Sequence, residues 1–207
     1  MAKHPIGVSF ALIIAAPLLS GCVAVAATGL VAGVSAARQE RTVGAAIDDV
    51  RIKSAITAAL AGESVSNFVN VSTTVVEGRV LMTGRVEEPE MRLAATRAAW
   101  GVEGVRRVDN EIEITEEFGL VDRPRDIFIR TEIAADLLTD ASIKDVNYTI
   151  DVVNGVVYLT GVGQSQAEVD RVIARASRFR GVKRVENYVV LKDDPARYFG
   201  VAAAPDA

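Results

Sequence analysis

The order of apolar and polar positions along this chain occurs twice. An apolar residue stands at every fourth position from Ile52 to Leu60, which is typical of the buried face of a helix. Residues 71–82 then alternate with a period of two on either side of Glu77-Gly78, which predicts two strands joined by a hairpin turn. The same order returns 77 positions further on (181 − 104, from Gly104 to Gly181) and aligns without a gap.

A second helix and a last strand complete each copy. Pro89 suits the first turn of that helix in the first copy, and Ser165 to Glu168 forms a capping-box pattern in the second. Gly104 and Gly181 stand where the helix must end, since glycine adopts left-handed geometry at low cost. Each copy therefore predicts helix–strand–strand–helix–strand, an α+β fold.

The repeats divide the chain into six expected segments. They are a signal peptide over 1–21, a lipidated Cys22 and Ala/Gly-rich tether over 22–45, a first domain over 46–114, a linker over 115–122, a second domain over 123–191, and a flexible tail over 192–207.

The N-terminus resembles a bacterial lipoprotein signal. Lys3 precedes an apolar stretch from Ile6 to Leu19, and Leu19-Ser20-Gly21-Cys22 matches the lipobox that is cut before its cysteine. The resemblance implies a covalent lipid at Cys22 and, because lipid chains add membrane affinity, a lipid-anchored protein. The alternative is an uncleaved transmembrane helix continuing over 23–37, although the glycines and alanines there make a poor span.

Composition narrows the classes of function. The one cysteine, Cys22, and the one histidine, His4, both lie near the N-terminus, so a chain cleaved before Cys22 keeps no histidine and no free thiol. Ser-His and Cys-His catalysis, zinc sites of the usual type and disulfides are then excluded, and we expect no catalytic residues, metal or cofactor. The net charge of −4 disfavours nucleic-acid binding. Asp48 and Asp49 are interpreted as favourable charges at the start of the first helix.

Two motifs occur in both copies and carry a resemblance. Each copy has V-x-G-x-V-x-L/M-T-G at the hairpin, and the chain reads G-V-R-R-V-D-N from Gly104 and G-V-K-R-V-E-N from Gly181. Two units of this order resemble BON domains, which implies a small three-stranded mixed sheet packed by two helices in each. With the lipobox, the layout resembles the two-domain outer-membrane lipoproteins of that family. Because both domains carry the heptapeptide, we interpret it as part of the fold rather than as a phosphate site.

The resemblance implies a location and a partner. Such lipoproteins face the periplasm from the outer membrane, bind anionic phospholipid through the second domain and support envelope integrity, with links to division sites. In the family a tryptophan on the first helix of the second domain contacts lipid, and this chain has Phe128 at that place.

Phe128 also marks a difference between the copies, since Arg51 occupies its position in the first. An exposed aromatic flanked by arginines is a plausible interfacial anchor for an anionic membrane. The candidate phospholipid-binding residues are Phe128, Arg125, Arg130, Arg123 and Val121. The alternative is that Phe128 packs against the first domain or against Phe118 of the linker.

The distribution of charge and the single tryptophan give weaker indications of function. Residues 46–114 have a net charge of −3 (8 − 11) and residues 123–191 one of +1 (10 − 9). Arg171, Arg175 and Arg178 form a helical stripe that we interpret as a solvated face rather than an anion-binding patch. Trp100, the one tryptophan, is expected to pack in the core or between domains.

Three functions are consistent with these features. The first is a non-enzymatic lipid-anchored protein that binds phospholipid. The second is a soluble periplasmic stress protein or chaperone-like adaptor, and the third is an adaptor for envelope, cell-wall or division proteins. Enzymatic activity is the least favoured class.

Overall fold

The computed structural model of the protein describes residues 42–115, here domain one, and 122–197, here domain two. Domain one contains α1 (Val43–Glu63), α2 (Val65–Phe68), β1 (Val71–Val76), β2 (Arg79–Val86), α3 (Pro89–Trp100) and β3 (Arg107–Ile114). Domain two contains α4 (Asp122–Leu138), a 3₁₀ turn (Asp145–Asn147), β4 (Tyr148–Val153), β5 (Val156–Gly163), α5 (Gln166–Ala176), β6 (Arg184–Leu191) and a last 3₁₀ turn (Pro195–Arg197).

Each domain has a three-stranded mixed sheet, as the sequence and its family resemblance predict. The orders are β1-β2-β3 and β4-β5-β6. The first two strands of each sheet pair antiparallel and the last pairs parallel with the central strand. The connection to each parallel strand runs through a helix, α3 or α5, which packs on the same side of the sheet as the first helix. The α+β fold is therefore confirmed.

The first helix of domain one starts earlier than expected. Thr42 caps it, with its side-chain oxygen accepting from the Ala45 N–H at 3.1 Å. The helix buries Ile52, Ile56 and Leu60 against the sheet, as the fourfold spacing predicts. Because the helix begins at Val43, the interpretation of Asp48 and Asp49 as charges at its start is wrong.

Asp49 instead supports the hairpin turn. Its buried carboxylate accepts the backbone N–H groups of Glu77 and Gly78, both at 2.9 Å. Asp126 does the same in domain two for the N–H groups of Asn154 and Gly155, at 2.7 and 2.9 Å. This aspartate is shared by the two copies because it satisfies two N–H groups that the turn leaves free of the strand ladder.

The heptapeptide that occurs in both copies supports the same turn. The prediction that the second helix ends at Gly104 and Gly181 is wrong, because α3 and α5 end at Trp100 and Ala176, followed by the C-cap residues Gly101 and Ser177. Gly104 and Gly181 lie in the turns that follow, with φ of 93° and 102°, in the left-handed range that favours glycine. Two residues further on, Arg106 and Lys183 donate their backbone N–H groups to the carbonyl oxygens of the hairpin glycines, Gly78 and Gly155, both at 2.8 Å. The heptapeptide is therefore built into the fold in both domains.

The two sheets face each other with their helix-free sides. In each domain the helices cover one side of the sheet, where Val80 and Met82, or Val157 and Leu159, join the core. Side chains from the other sides form two small apolar clusters that include residues of both domains. The clusters contain Val76, Val162 and Val190, and Leu81, Val156 and Tyr158. The result is a four-layer order of helices, sheet, sheet and helices.

The end of domain two differs from the expected flexible tail. Lys192 donates its N–H to Gly163 at 2.9 Å, and Pro195–Arg197 forms a 3₁₀ turn whose Arg197 side chain is buried. The expectation of a loose chain from Lys192 is therefore wrong as far as Arg197, and residues 198–207 lie outside the described residues.

Candidate functional site

The outward side of α4 presents an apolar surface. Ile127, Phe128 and Leu138 are 55, 60 and 69% exposed, although they are large hydrophobic side chains. Their neighbours Ile129, Ile133 and Leu137 point the other way into the core. We call the three exposed residues the α4 face.

Helix periodicity explains this arrangement. Leu138 lies about three turns after Ile127 and Phe128, so the three side chains share the outward half of a helix with 3.6 residues per turn. The smaller residues between them on that side, Thr131 and Ala135, are also exposed. A helix with apolar residues on both sides normally has both sides covered, so the α4 face is the strongest candidate surface of domain two.

The three candidate arginines lie in two different environments. Arg125 and Arg130 are exposed on α4, and the Arg125 guanidinium lies near Gly181 of the heptapeptide. Arg123 instead hydrogen-bonds the side chain of Asn70 in domain one. Val121 lies outside the described residues, as does Cys22.

Burial bears on the alternative role for Phe128. The helix of Phe128 lies on the side of its sheet opposite domain one, and the ring is 60% exposed. Packing of Phe128 against the sheet of domain one is therefore not the arrangement in this structure. Phe118, the other expected partner, lies outside the described residues.

The arginine stripe of α5 is partly bound within its own domain. Arg175 donates to Asp136 on α4 at 2.6 and 2.9 Å and to Asp140 at 2.9 Å. These hydrogen bonds hold the pKa of the Asp136 carboxyl below its usual value. Arg171 donates to the Ser142 hydroxyl at 2.7 Å. The stripe therefore joins two helices in part, in addition to facing solvent.

A shallow cavity lies beside this ion pair. It has a volume of about 190 Å³ and is lined by Asp136, Arg175, Arg178 and Phe179. Since Asp136 already binds Arg175 there, the cavity offers mixed charges rather than a basic pocket for an anion.

Domain one has its own exposed apolar residues. Val43, Ile47 and Val50 lie along the outward side of α1 and are 55, 65 and 67% exposed. Trp100 at the end of α3 is 53% exposed, so the expectation that it packs in the core or between domains is wrong. Because the helix layers lie on opposite sides of the paired sheets, the faces of α1 and α4 point in different directions.

Sequence reasoning found Phe128 but missed Ile127 and Leu138. Phe128 was found because the two copies differ there. Ile127 corresponds to Val50, which is also apolar, so comparison of the copies gave no signal. The usable signal was helical spacing on the side opposite Ile129 and Leu137.

Two features are absent from the described ranges and bear on other classes of site. Within 42–115 and 122–197 no helix has the length and apolar character needed to cross a membrane. Over those same residues no group of His, Cys, Asp or Glu side chains is arranged to hold a metal ion.

The fold defines a tandem module of two small α+β domains, each with the same turn support and heptapeptide. The chain belongs to the BON domain family: the family pattern matches residues 48–116 and 128–193.

Three relatives place this family membership in context. An Anaplasma centrale protein described by its position in the gshII 5′ region is 44% identical over 131 residues, which cover 63% of this chain and 87% of that protein. The outer membrane lipoprotein DolP of Haemophilus influenzae is 31% identical over 169 residues, or 81% of this chain and 86% of DolP. The osmotically-inducible protein Y of Escherichia coli is 31% identical over 147 residues, or 70% and 73%. These similarities support a BON-domain protein associated with the cell envelope.

Proposed function

We propose that this protein is a non-enzymatic lipoprotein of the outer membrane that faces the periplasm and binds anionic phospholipid through the α4 face. Its role is to support envelope integrity, including at division sites. The observation that carries the proposal is the exposure of Ile127, Phe128 and Leu138 on one side of a helix.

The chemistry of the α4 face supports a membrane as its partner. Apolar side chains can enter the boundary between headgroups and acyl chains, and each buried large side chain contributes about 1.5–3 kcal/mol. Arg125 and Arg130 are exposed on the same helix, where each cation near an anionic surface contributes about 1 kcal/mol. Phenylalanine supplies the apolar part of an interfacial aromatic without the polar end of tryptophan.

The proposed anchor is a lipid on Cys22, after cleavage of residues 1–21. It rests on the lipobox and on the similarity to DolP, an outer membrane lipoprotein. An anchor and a second membrane contact act together, because stable membrane attachment generally needs two signals.

Vesicle binding tests the proposal. Residues 23–207 are sedimented with vesicles of zwitterionic lipid alone and with vesicles that also contain anionic lipid. We expect binding to the anionic vesicles, and we expect Phe128→Glu to weaken it at least about tenfold, since this change removes an apolar contact and adds a repelled charge.

Val50→Glu is the matched control, because Val50 is at the position of domain one that corresponds to Ile127. This substitution places the same charge on an exposed apolar site of the other helix layer. It should leave vesicle binding unchanged. Loss of binding in Val50→Glu with none in Phe128→Glu would move the membrane contact to domain one.

Similarity to the osmotically-inducible protein Y favours a second candidate function, a soluble periplasmic stress protein or chaperone-like adaptor. Labelling with a radioactive fatty acid in cells separates the two candidates. Label that is lost in Cys22→Ser supports the lipoprotein, and a chain that takes up no label belongs to the soluble class.

The exposed apolar side of α1 favours a third candidate, an adaptor for envelope, cell-wall or division proteins. Crosslinking in cells distinguishes it. One dominant protein partner, with no vesicle binding by the wild type, would support the adaptor over the phospholipid-binding function.

A further inference from the structure

The segment that follows β6 returns to domain one and places a buried arginine, Arg197, against it. Arg197 is only 8% exposed. Its Nε donates to Oε2 of Glu77 at 2.8 Å, and its Nη2 donates to the other oxygen of the same carboxylate. A two-point contact between guanidinium and carboxylate is among the stronger and more directional pairs in proteins.

A second contact holds the backbone of the same residue. The carbonyl oxygen of Arg197 accepts a hydrogen bond from Nη1 of Arg106 at 2.7 Å. Arg106 belongs to the heptapeptide of domain one, and Glu77 lies in the hairpin turn of the same domain. The end of domain two is therefore fixed to domain one at both its side chain and its main chain.

Glu77 is an unusual residue for its position in the turn. Its φ is 52°, and the equivalent residue of domain two, Asn154, has nearly the same φ of 51°. Asparagine tolerates this left-handed conformation much better than glutamate does. The turn of domain one thus accepts a conformational cost that the turn of domain two avoids.

The carboxylate of Glu77 explains this difference between the copies. An asparagine at position 77 would suit the backbone but could not form the two-point ionic contact with Arg197. In domain two, Asn154 Oδ1 accepts from Lys183 Nζ, which is a contact within that domain.

We propose that Glu77, Arg106 and Arg197 form an interdomain latch, and that Glu77 occupies a strained turn position in order to complete it. The latch fixes the two sheets in one orientation, in addition to the apolar contacts between them. This inference does not depend on lipid binding, since the latch lies at the paired sheets and not on the α4 face.

A double-mutant cycle in the full chain tests the latch, with the thermal unfolding midpoint as the measurement. The four proteins are the wild type, Glu77→Asn, Arg197→Gln and the double variant. We expect Arg197→Gln to lower the midpoint by roughly 3–8 °C. Glu77→Asn should also lower it in the wild type, because Arg197 is left buried without its carboxylate.

The direction in which Glu77→Asn shifts the unfolding midpoint distinguishes a latch from a turn that makes no ionic contact. In the Arg197→Gln background the carboxylate has lost its partner, so Glu77→Asn should raise the midpoint by relieving the turn. A rise of equal size in both backgrounds would overturn the proposal, because it would show that the carboxylate contributes nothing through Arg197.

Amide hydrogen exchange supplies a readout of orientation. Arg197→Gln, and a chain ending after Asp194, should speed exchange of β2 and β5 amides at the paired sheets about tenfold or more, with α3 unchanged. Arg180→Gln is the control, since Arg180 is an exposed arginine of the same domain. Unchanged exchange in both the Arg197→Gln and the shortened proteins would contradict the latch.

Discussion

At the scale of single residues, Asp49 and Asp126 show how a short motif determines a turn. Each is buried on the first helix of its domain and binds two N–H groups of the hairpin almost thirty positions further on. The helix is thereby fixed to the turn by charged hydrogen bonds, which are stronger than neutral ones. The sequence alone led to a wrong interpretation of Asp49 as a charge at the start of the helix, because a contact with a turn so far along the chain leaves no local pattern.

The first prediction at this scale concerns Asp126. Asp126→Asn replaces a carboxylate, which accepts through both oxygens, by an amide, which accepts through one. One N–H group of the turn therefore loses its hydrogen-bond acceptor, and the other keeps an acceptor that is no longer charged. We expect the free energy of unfolding to fall by roughly 2–3 kcal/mol in chemical denaturation. Asp170→Asn, an exposed change on α5, is the control and should have little effect. Equal stability of the two variants would show that the turn does not need the carboxylate.

The α4 face shows what comparison of the copies can and cannot find. Phe128 differs from Arg51 and was therefore predicted as a site residue. Ile127 and Leu138 correspond to Val50 and Ala61, which are apolar or small, so they resembled parts of the fold. Exposure depends on what covers a helix, and a single sequence does not state that.

At the scale of elements, nearly all helices and strands of the described residues were predictable. Their spacing is clear because most of them bury one regular face, and the repeat gives every pattern twice. The short α2 and the 3₁₀ turn at Asp145 were missed, since three or four residues show no period. The start of α1 was missed because the residues before it, rich in alanine, resemble the tether in composition.

The second prediction concerns the contact between α4 and α5. Arg175 binds Asp136 and holds its carboxyl pKa low through a hydrogen bond. A folded pKa below the unfolded value of about 3.9 means that this contribution to stability is present above that pH and is lost as the pH falls through the folded pKa. The unfolding midpoint of Arg175→Gln should therefore lie below that of the wild type at pH 7 and approach it near pH 2.

Thermal unfolding across pH 2–7 measures this convergence. Arg97→Gln on α3, an exposed change in the other domain, should give a curve parallel to that of the wild type. If the Arg175→Gln curve also stays parallel down to pH 2, the ion pair does not contribute through the charge of Asp136.

At the scale of the whole molecule, the pairing of the two sheets was the feature that the sequence left open. One signal was present: β5 reads Val-Val-Tyr-Leu at its start, without the alternation expected of a strand with one solvated side. Such a run indicates that both sides are covered, but it does not identify the covering surface. That surface is the sheet of domain one. Arg197 also contributes to the contact, although it lies sixteen positions after Gly181 (197 − 181), in a segment expected to be loose.

Titration of the tyrosines provides the third prediction and a measure of this pairing. Tyr158 is 1% exposed between the sheets, and its burial, aided by Glu111 and Glu113 of domain one, raises its pKa to about 12. Burial also raises the pKa of Tyr188, whose ring lies 6.5 Å from that of Tyr158. Because these folded pKa values exceed the unfolded value of about 10, the stability is complete below pH 10 and is lost as the pH rises through the folded values.

Loss of stability above pH 10 should therefore include separation of the sheets. Tyr158→Phe keeps the ring in the cluster but removes the group that titrates, so its stability should fall less steeply between pH 10 and 12. Denaturation midpoints over that range, with tyrosinate absorbance recorded in parallel, make the comparison. Tyr148→Phe is the control within domain two, because Tyr148 also has a raised pKa but packs on the helix side of its sheet. If Tyr158→Phe and the wild type lose stability equally while hydrogen exchange of β5 is unchanged, ionisation of Tyr158 is not what opens the pairing.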